Sequence, residues 1–535
     1  MRDVKVLLID GYIDDPAALG VPPYISPMAR AVAGAAIDAG AVVDYVTIDK
    51  IRRGKTLPKA DVSVVLSGNT VPGRYLRSMP MSSNEISSLV PKLSGWKLIG
   101  GSSASSEATD AFDFKITKDL AASLYDGLTG KEVDERLRTL NEWNRWMLLG
   151  ADIVTEHQDH PQPLIAEVET YRGCHRFMSG GCSYCIEPLK GEPLMRSPED
   201  ILNEVSKLKE LGVRNIRIGG QTCIISYGSE DYLGIPKPKP DVVSRLFTSL
   251  RDMRFDVLHV DNANAAVISE YADGSADVLR TLTECCTPGN VLALGMESAD
   301  ANVMKLNNLN SSSEQVMDAI RLINRIGSQR GDNGMPKLLP GINLISGLDG
   351  ETNDTYAENV AFLESVLAEG LMIRRINIRQ VLPVRRRFDT KVDHNKFKKY
   401  KQYIRENIDA PMLRMVVPAG TILKNVYLEI VDNGITFGRQ IGTYPLLIGL
   451  PYKTNVDRFC NVLVTEHGFR SITGLEYPFP INKASMSAIS SLPGIGKKRA
   501  ANIMVARPLR SADDLMKAID DDRVVNRLMD IVTFE

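Results

Sequence analysis

Three cysteines that fall within twelve residues are the part of this sequence best suited to chemistry. Cys174, Cys182 and Cys185 leave seven residues between the first pair and two between the second. Three thiolates on one loop can hold three irons of a cubane cluster, and soft thiolate is the ligand that iron–sulfur clusters use. Structural zinc, with His175 as a fourth ligand, is the alternative that the spacing leaves open. Gly180 and its neighbouring glycine would let the loop fold closely around a metal centre.

Alternating strands and helices position this loop. Six short strands with helices between them predict a partial parallel (β/α)6 barrel over residues 151–390, whose chemistry is expected at the C-terminal ends of the strands. Cys174 comes just after the first of these strands. The predicted strands are 165–170, 214–218, 256–260, 291–295, 340–346 and 374–381, and the predicted helices include 198–211, 241–252, 313–326 and 353–369.

The loop Cys-x7-Cys-Ser-Tyr-Cys, placed after a strand, resembles a widened form of the radical S-adenosylmethionine (SAM) signature Cys-x3-Cys-x-aromatic-Cys. The spacing of seven departs from the common three. The resemblance implies a [4Fe–4S] cluster on Cys174, Cys182 and Cys185, with SAM chelating the remaining iron. Reductive cleavage of SAM would then yield a 5′-deoxyadenosyl radical. An iron–sulfur cluster is therefore favoured over zinc.

Later segments resemble the SAM-binding motifs of that superfamily, in the expected order. Residues 219–221 resemble the Gly-Gly-Glu motif that meets the SAM amino group, with Gln in place of Glu. Residues 294–298 resemble the ribose-contacting fourth strand, and 341–351 resemble the fifth-strand segment that packs on adenine. The basic residues around the sixth strand would meet SAM, a corrin side chain or an acidic substrate, or form a solvated face. The residues assigned to SAM are Gly219, Gly220, Gln221, Glu297, Asn343, Ile345 and Arg379.

Residues 1–150 also alternate strand and helix, which predicts a doubly wound domain with ligands beyond the carboxyl ends of its strands. A domain of this kind before a radical SAM barrel resembles the cobalamin-binding arrangement, and the segment 21–24 belongs to that resemblance. No histidine occurs before His157, so cobalt would lack a lower histidine ligand. A domain that binds no ligand is the alternative. The residues assigned to cobalamin are Tyr24, Ser67, Gly68, Asn69, Gly100, Gly101 and Ser102.

The C-terminal third predicts two further units. Residues 391–480 combine a charged helix with a small β-rich domain, and residues 481–535 are helical. The hairpin Pro493–Gly496, followed by basic residues 497–499, resembles a helix-hairpin-helix motif. Such motifs grip phosphates through their hairpin amides and cations. Acidic residues in the same segment leave protein docking or a structural role equally open.

Composition favours a soluble globular protein. The chain has 535 residues and a net charge of −2, so no global basic field attracts nucleic acid or membranes. Its start does not resemble a signal peptide, and no apolar run reaches the ~18 residues of a membrane span. A cytoplasmic location is expected. The remaining cysteines (Cys223, Cys285, Cys286 and Cys460) and His259 are predicted to be ordinary buried residues.

These features together predict a cobalamin-dependent radical SAM C-methyltransferase. The layout is similar to that of the methanogen enzymes that C-methylate methyl-coenzyme M reductase, the glutamine C-methyltransferase in particular. The resemblance implies a protein substrate and an external electron donor. A tRNA- or rRNA-modifying radical SAM enzyme, a cobalamin-free radical SAM enzyme and a zinc-holding adaptor are the alternatives. Methylthiotransferases carry three further N-terminal cysteines, whereas this chain has none before Cys174.

Overall fold

A parallel five-stranded sheet opens the computed structural model, which describes residues 3–13, 23–69, 75–231 and 234–535. Val21 and Pro22, which belong to the segment 21–24, lie outside the described residues. The strands of this part of the chain, of which all but β2 belong to the sheet, are β1 (Lys5–Asp10), β2 (Tyr24–Ile25), β3 (Val42–Thr47), β4 (Val62–Leu66), β5 (Trp96–Gly100) and β6 (Phe114–Ile116). The helices are α1 (Pro27–Asp38), α2 (Ile48–Arg52), α3 (Ser83–Leu89), α4 (Leu120–Leu128) and α5 (Leu140–Leu149).

The strand order of this sheet is β3-β1-β4-β5-β6. Counted within the sheet, that is 2-1-3-4-5, the flavodoxin-like order, in which ligands bind where the order reverses, beyond β1 and β4. Strand β4 is buried along its whole length, as the apolar run 62–66 predicts. Ser26 caps α1 by accepting a hydrogen bond from the Met28 amide.

Strand β2 does not belong to this sheet and pairs with the partial barrel. Tyr24 and Ile25 lie beside Ile165 and Ala166 in parallel register. Strand β2 precedes the predicted domain boundary at residue 150, yet it is hydrogen-bonded to the barrel sheet that follows this boundary. The reason is physical: the first barrel strand has an exposed edge, which β2 covers.

The partial barrel consists of two parallel sheets, β11-β10-β7-β2 and β12-β13-β14, joined by a bridge between Ala263 and Leu294. Predicted and observed barrel strands agree to within three residues. The strands are β7 (Ile165–Glu169), β8 (Tyr171–Arg172), β9 (Leu194–Met195), β10 (Asn215–Gly219), β11 (Val257–Val260), β12 (Asn290–Glu297), β13 (Leu338–Ser346) and β14 (Arg375–Gln380). The helices are α6 (Pro198–Glu210), α7 (Pro240–Asp252), α8 (Ala265–Glu270), α9 (Ala272–Cys285), α10 (Ala301–Leu306), α11 (Ser313–Gly327) and α12 (Asn353–Ala368).

A helix interrupted by a π-helical turn at Arg405–Asp409 leads from the partial barrel into a closed five-stranded barrel. The strand order β15-β16-β17-β19-β18, with β17 and β19 parallel, is the Greek-key arrangement of OB-folds. The helices are α13 (His394–Ile404) and α14 (Ala410–Val416). The strands are β15 (Ile422–Asp432), β16 (Ile435–Gln440), β17 (Leu447–Leu450), β18 (Arg458–His467) and β19 (Ser471–Tyr477).

The C-terminal helices pack onto this closed barrel. Phe479 and Ile503 belong to one hydrophobic core with Leu475 of β19, so the two predicted C-terminal units are packed together. Gly494, in the hairpin before α16, has a φ of 82°, which a glycine adopts without strain. The elements are β20 (Phe479–Pro480), α15 (Met486–Ile489), α16 (Lys497–Ala506), α17 (Ala512–Ile519), α18 (Asp522–Met529) and β21 (Val532–Thr533). No helix in the described part of the chain is long and apolar enough to span a membrane.

Candidate active site

The three thiols of the cysteine loop line one cavity of about 840 Å³ at the C-terminal ends of the barrel strands. We call it the cysteine cavity; Cys174, Cys182 and Cys185 lie on its wall, together with Glu297 and Asn343. All three thiols are free and half-buried. The structure thus places them where the barrel prediction requires.

Residues far away in sequence hold the loop in shape. The Arg385 guanidinium donates hydrogen bonds to the carbonyl oxygens of Gly180 (2.7 Å), Cys182 (2.9 Å) and Cys185 (3.2 Å). The Asn308 amide donates to the carbonyl of Gly181 at 2.9 Å. Sequence reasoning placed Arg385 only in a basic segment and missed Asn308, because neither lies near the cysteines along the chain.

Burial sets the acidity of the thiols. It raises the pKa of Cys182 to about 12 and that of Cys185 to about 11, so both hold their protons at neutral pH in the absence of metal. Iron binds the thiolate, and loading the site therefore releases protons. The Arg176 guanidinium lies 3.4 Å from the Cys182 sulfur and favours its thiolate form.

The zinc alternative assigned His175 as a fourth ligand. His175 is buried beside the cysteine loop, with its ring edge-on to Tyr171, and burial lowers its pKa to about 4. Among the residues that the structure describes, no three His, Cys, Asp or Glu side chains converge closely enough to chelate a single metal ion. Three thiolates that each hold a different iron of a cubane do not have to converge in this way.

Six of the seven residues assigned to SAM line an adjoining cavity of about 520 Å³, which we call the barrel cavity. It shares Tyr184, Thr222 and Glu297 with the cysteine cavity. Gly219 is packed instead in the strand, where a Cβ would lie 2.1 Å from Glu167 Oε1. The six lining residues are Gly220, Gln221, Glu297, Asn343, Ile345 and Arg379.

Gln221 faces inward and is bound to the barrel itself. Its amide nitrogen donates to the carbonyls of Asp261 (2.7 Å) and Ile218 (3.3 Å), and its amide oxygen accepts from Thr170 (3.3 Å). The side chain is almost completely buried. In this arrangement its amide fastens strand ends together, and the predicted contact with the SAM amino group would require these bonds to rearrange.

Glu297 is the most unusual polar residue of the two cavities. It lies at a bulge in β12 with a φ of 66°, a strained conformation for a residue other than glycine. Burial raises its pKa to about 7, against the hydrogen bond from Tyr184 and the charge of Arg379. Its Oε2 atom has no hydrogen-bond partner within the described ranges. A buried oxygen of this kind suits a hydroxyl-bearing ligand such as the ribose of SAM.

The floor of the barrel cavity comes from the closed β-barrel. Tyr444 reaches in from the connection between β16 and β17 and hydrogen-bonds Asp261, which also pairs with Arg217 at 2.6 Å. Arg375 stacks over the Tyr444 ring, 4.2 Å from its centre. Sequence reasoning missed Tyr444, since an aromatic residue in a turn carries no local signal of a distant role.

Six of the seven residues assigned to cobalamin meet at the carboxyl ends of the neighbouring strands β4 and β5, beside the reversal point of the N-terminal sheet. The Ser67 amide donates to the Gly100 carbonyl, and the Asn69 amide donates to Ser102 Oγ at 3.1 Å. Gly101 has a φ of 100°, and a Cβ there would lie 2.4 Å from the Ser67 carbonyl oxygen. Ser67 Oγ is buried and has no partner among the residues described. An orphaned hydroxyl at a strand end fits a polar ligand group such as a corrin side chain.

Tyr24 belongs to the barrel side of this region. Its hydroxyl donates to the Ile13 carbonyl at 2.7 Å, and both residues line the barrel cavity. Ile13 also contacts the other group, since a Cβ on Gly101 would lie 3.1 Å from its side chain. Ile13 therefore connects the strand-end loops of the N-terminal sheet with the barrel cavity.

His259 and three of the four remaining cysteines are buried. His259 is a buried core histidine, as predicted, which accepts from the Thr443 amide and contacts the Thr287 carbonyl. Cys223, Cys285 and Cys286 are buried, whereas Cys460 is half-buried. The basic residues near the sixth barrel strand do not form one site. Arg379 lines the barrel cavity, Arg385 contacts the cysteine loop, and Arg386 pairs with Asp349.

Residues 168–363 match the family model described as the radical SAM superfamily. This stretch contains the cysteine loop and most of the residues assigned to SAM. The chain therefore carries a radical SAM domain, and a radical SAM domain implies a [4Fe–4S] cluster and SAM as cofactors.

Two archaeal proteins match nearly the whole chain. A protein of Methanocaldococcus jannaschii is 41% identical over 507 residues, which are 88% of this chain and 93% of that protein. One of Archaeoglobus fulgidus is 37% identical over 526 residues, which are 96% of this chain and 97% of that protein. Both are described only as uncharacterised. The chain belongs to the family that these two proteins represent.

More distant similarities cover parts of the chain. A tRNA-2-methylthio-N(6)-dimethylallyladenosine synthase of Syntrophobacter fumaroxidans is 26% identical over 221 residues, which are 40% of this chain and 42% of that enzyme. A solved structure of the cobalamin-dependent SAM radical enzyme OxsB, with aqua-cobalamin and SAM bound, superposes with a TM-score of 0.49 at 15% identity. That superposition covers 76% of this chain and 56% of the OxsB chain.

Proposed function

We propose that this protein is a cobalamin-dependent radical SAM C-methyltransferase that acts on an unactivated carbon of a protein residue. The observation that carries the proposal is the position of the strand-end loops 67–69 and 100–102, which meet beside the reversal point of a flavodoxin-like sheet and reach the barrel cavity through Ile13. When bound, the cluster and SAM would supply hydrogen-atom abstraction, and cobalamin would supply the methyl group.

The residues of the chain would bind and orient these groups. Cys174, Cys182 and Cys185 would hold the cluster, on a loop that Arg385 keeps in shape. The carboxyl group of Glu297 would hold a SAM hydroxyl in the shared wall of the two cavities. The strand-end loops would hold polar groups of cobalamin.

The absence of any cysteine before Cys174 supports methyl transfer over methylthiolation. A methylthiotransferase needs sulfur chemistry at a second N-terminal cluster, for which residues 1–173 provide no thiol. The tRNA methylthio synthases match only part of this chain, and the chain lacks the N-terminal thiols that methylthiolation would need.

For the substrate, we propose a glutamine of methyl-coenzyme M reductase. Support comes from the likeness of the four-part layout to the methanogen C-methyltransferases, and from close relatives that occur in archaea. An external electron donor and a cytoplasmic location belong to the same proposal.

Anaerobic reconstitution with iron, sulfide and hydroxocobalamin tests the cofactor part of the proposal. We expect about four irons and about one cobalt per chain. Four irons with no retained cobalt would overturn methylation while leaving the radical SAM domain intact.

Two serines of one strand region form a matched pair for that test. Ser67→Ala removes the unpartnered hydroxyl and is expected to lower cobalt retention without loss of iron. Ser63→Ala removes a hydroxyl bonded to the Ser94 carbonyl at 2.7 Å, so it should lower stability and leave the cobalt-to-iron ratio unchanged. Equal cobalt retention by wild type and Ser67→Ala would remove Ser67 from the binding site.

Methylation itself is measured with deuterated-methyl SAM and unmodified methyl-coenzyme M reductase. Mass spectrometry should locate one labelled methyl group on a glutamine carbon, and only with the reconstituted enzyme. Cleavage of SAM without a labelled protein would contradict the substrate proposal.

RNA modification is a second candidate, which the OB-like closed barrel and the adjoining helices favour, because OB-folds often bind oligonucleotides. Lys497, Lys498 and Arg499 provide the local positive charge on the helical unit. Binding of tRNA that weakens steeply as salt rises would support this candidate, since phosphate contacts release counterions. Retention of tRNA by a Lys497, Lys498, Arg499→Gln triple variant would argue against that surface.

A further inference from the structure

A third cavity, of about 350 Å³, opens at the base of the partial barrel, and we call it the base cavity. It lies between the start of β14, the π-helical turn Arg405–Asp409 and the closed β-barrel. Arg375 and Tyr444 line both this cavity and the barrel cavity, so they form the wall between the two. The charged groups of its lining are Arg374, Arg375, Arg405, Arg470 and Asp409.

These guanidinium groups are poorly matched within the fold. Arg374 donates to the Tyr444 carbonyl at 2.7 Å, but its buried Nε has no partner among the described residues. Arg470 donates to the Ile376 carbonyl at 3.2 Å and lies 3.7 Å from Asp409, a long ion pair. Arg405 acts on Asp409 through its charge, without a side-chain hydrogen bond or ion pair to the part of the chain that the structure describes.

Three fully buried arginines of this protein have carboxylate partners. Arg30 and Arg196 both pair with the buried Glu204, and Arg439 pairs with Glu429 at 2.7 Å. Those pairs satisfy the rule that buried charges need partners. The base cavity has four arginines and one carboxylate on its wall, and the half-buried Arg374, Arg405 and Arg470 remain accessible to a ligand.

The pKa values of Arg374 and Asp409 reflect the same excess of positive charge in a buried setting. Burial and the neighbouring guanidinium groups of Arg470 and Arg375 lower the pKa of Arg374 to about 9. Burial raises the pKa of Asp409 to about 6, although three arginines act to lower it. One carboxylate faces several cations, and an added anion would relieve the repulsion among them.

The remaining wall is apolar. Met412, Leu446 and the half-exposed Phe469 line it beside the arginines. The size lies within the range of sites for small molecules, which combine apolar walls with a few polar groups. Guanidinium groups bind carboxylate and phosphate through paired hydrogen bonds.

We propose that the base cavity binds a small organic anion, with a carboxylate or phosphate group held by Arg374, Arg405 and Arg470 and an apolar body against Phe469. This site is separate from the cluster and SAM, and it does not depend on the proposed methylation. Arg375, stacked on Tyr444, would add a further positive charge from the wall that separates the two cavities.

Calorimetric titration of the full-length protein tests the proposal with three probes: phenyl phosphate, benzoate and inorganic phosphate, at matched ionic strength. We expect saturable binding of phenyl phosphate or benzoate, and weaker binding of inorganic phosphate because it lacks the apolar body. The tighter of the first two identifies phosphate or carboxylate as the natural group. Failure of all three probes to bind saturably would overturn the proposal.

Variants with opposite expected effects separate binding from folding. Arg405→Gln should weaken the tighter probe by about tenfold or more, since a charge-assisted hydrogen bond is lost, and it should not harm folding because Arg405 has no internal partner. Asp409→Asn should strengthen binding by removing the competing carboxylate. Arg280→Gln, at an exposed ion pair with Asp277 elsewhere, is the control and should leave affinity unchanged. Binding that Arg405→Gln leaves at the wild-type affinity would also overturn the proposal.

Discussion

The mouth and the base of the partial barrel hold opposite kinds of chemistry, separated by one layer of side chains. At the mouth, burial keeps the thiols protonated in the absence of metal, and it raises the pKa of Glu297 to about 7, so this carboxyl group is partly protonated at neutral pH. At the base, arginines keep their charge although little in the fold balances it. Arg217, Asp261, Tyr444 and Arg375 form the layer between them. The difference shows that one barrel can keep a site of protonated acids apart from a site of excess positive charge when a second domain contributes a residue, here Tyr444, to the layer between them.

The largest expected effect is the loss of iron from the mouth of the barrel when the three cysteines are replaced, with no effect at the base. Cys174, Cys182, Cys185→Ala as a triple variant should lose essentially all bound iron after anaerobic reconstitution, because the cluster has lost its protein ligands. Binding of the anion probes at the base should be unchanged. Zinc retained in place of iron by the wild type would contradict the cluster, and loss of probe binding in the variant would show that the two sites are coupled.

Tyr444→Ala should open the layer of side chains between the barrel cavity and the base cavity and lower the stability of the protein. Removing a buried aromatic ring is expected to cost about 3–5 kcal/mol of unfolding free energy. Tyr444→Phe keeps the ring and loses only the hydrogen bond to Asp261, for about 1–3 kcal/mol. Denaturant unfolding measures both, and equal losses for the two variants would mean that the ring contributes nothing to the layer.

Glu297→Gln tests the ligand contact that we propose at the mouth. A carboxyl group that can accept a hydrogen bond as a carboxylate becomes a neutral amide of the same size, so the dissociation constant for SAM above pH 7, where Glu297 is mostly ionised, should rise by about tenfold or more. Equilibrium binding to the reconstituted enzyme measures it. Glu314→Gln, at an exposed helix start, serves as the control, and unchanged SAM affinity in Glu297→Gln would remove this carboxyl group from the SAM site.

Arg385→Gln should loosen the cysteine loop without removing a ligand. Three hydrogen bonds to loop carbonyls are lost, so we expect faster loss of iron to a chelator with little change in the initial iron content. The exposed Arg387→Gln is the matched control. If both variants release iron at the wild-type rate, the clamp has no part in holding the cluster.

The smallest expected effect is a pH dependence at the base. The pKa of Asp409 is raised from 3.8 to about 6, so its contribution to stability is fully present below pH 3.8 and is lost as the pH rises through about 6. Asp409→Asn removes this dependence and should therefore gain stability relative to wild type between pH 4 and pH 7. Melting temperatures across that range check it, and a constant difference would contradict the raised pKa.

Sequence alone determined the features that depend on neighbours along the chain. The position of Cys174 after a strand, the six barrel strands and the predicted helices follow from local apolar patterns and turns, and they agree closely with the structure. The SAM-assigned residues also follow strand ends, and six of the seven meet in one cavity because parallel strands end at a common edge.

Only the tertiary structure decided the features that join distant segments. Arg385 donates hydrogen bonds to the cysteine loop about 200 residues earlier, and Tyr444 hydrogen-bonds Asp261 inside the barrel. Strand β2 pairs with β7 of the barrel and not with the N-terminal sheet that surrounds it in sequence. The engagement of Gln221 with the Asp261 carbonyl likewise has no local signal. These contacts depend on which surfaces are brought together when separate units pack. The periodicity of a single segment indicates which of its faces is buried, but not which partner covers that face.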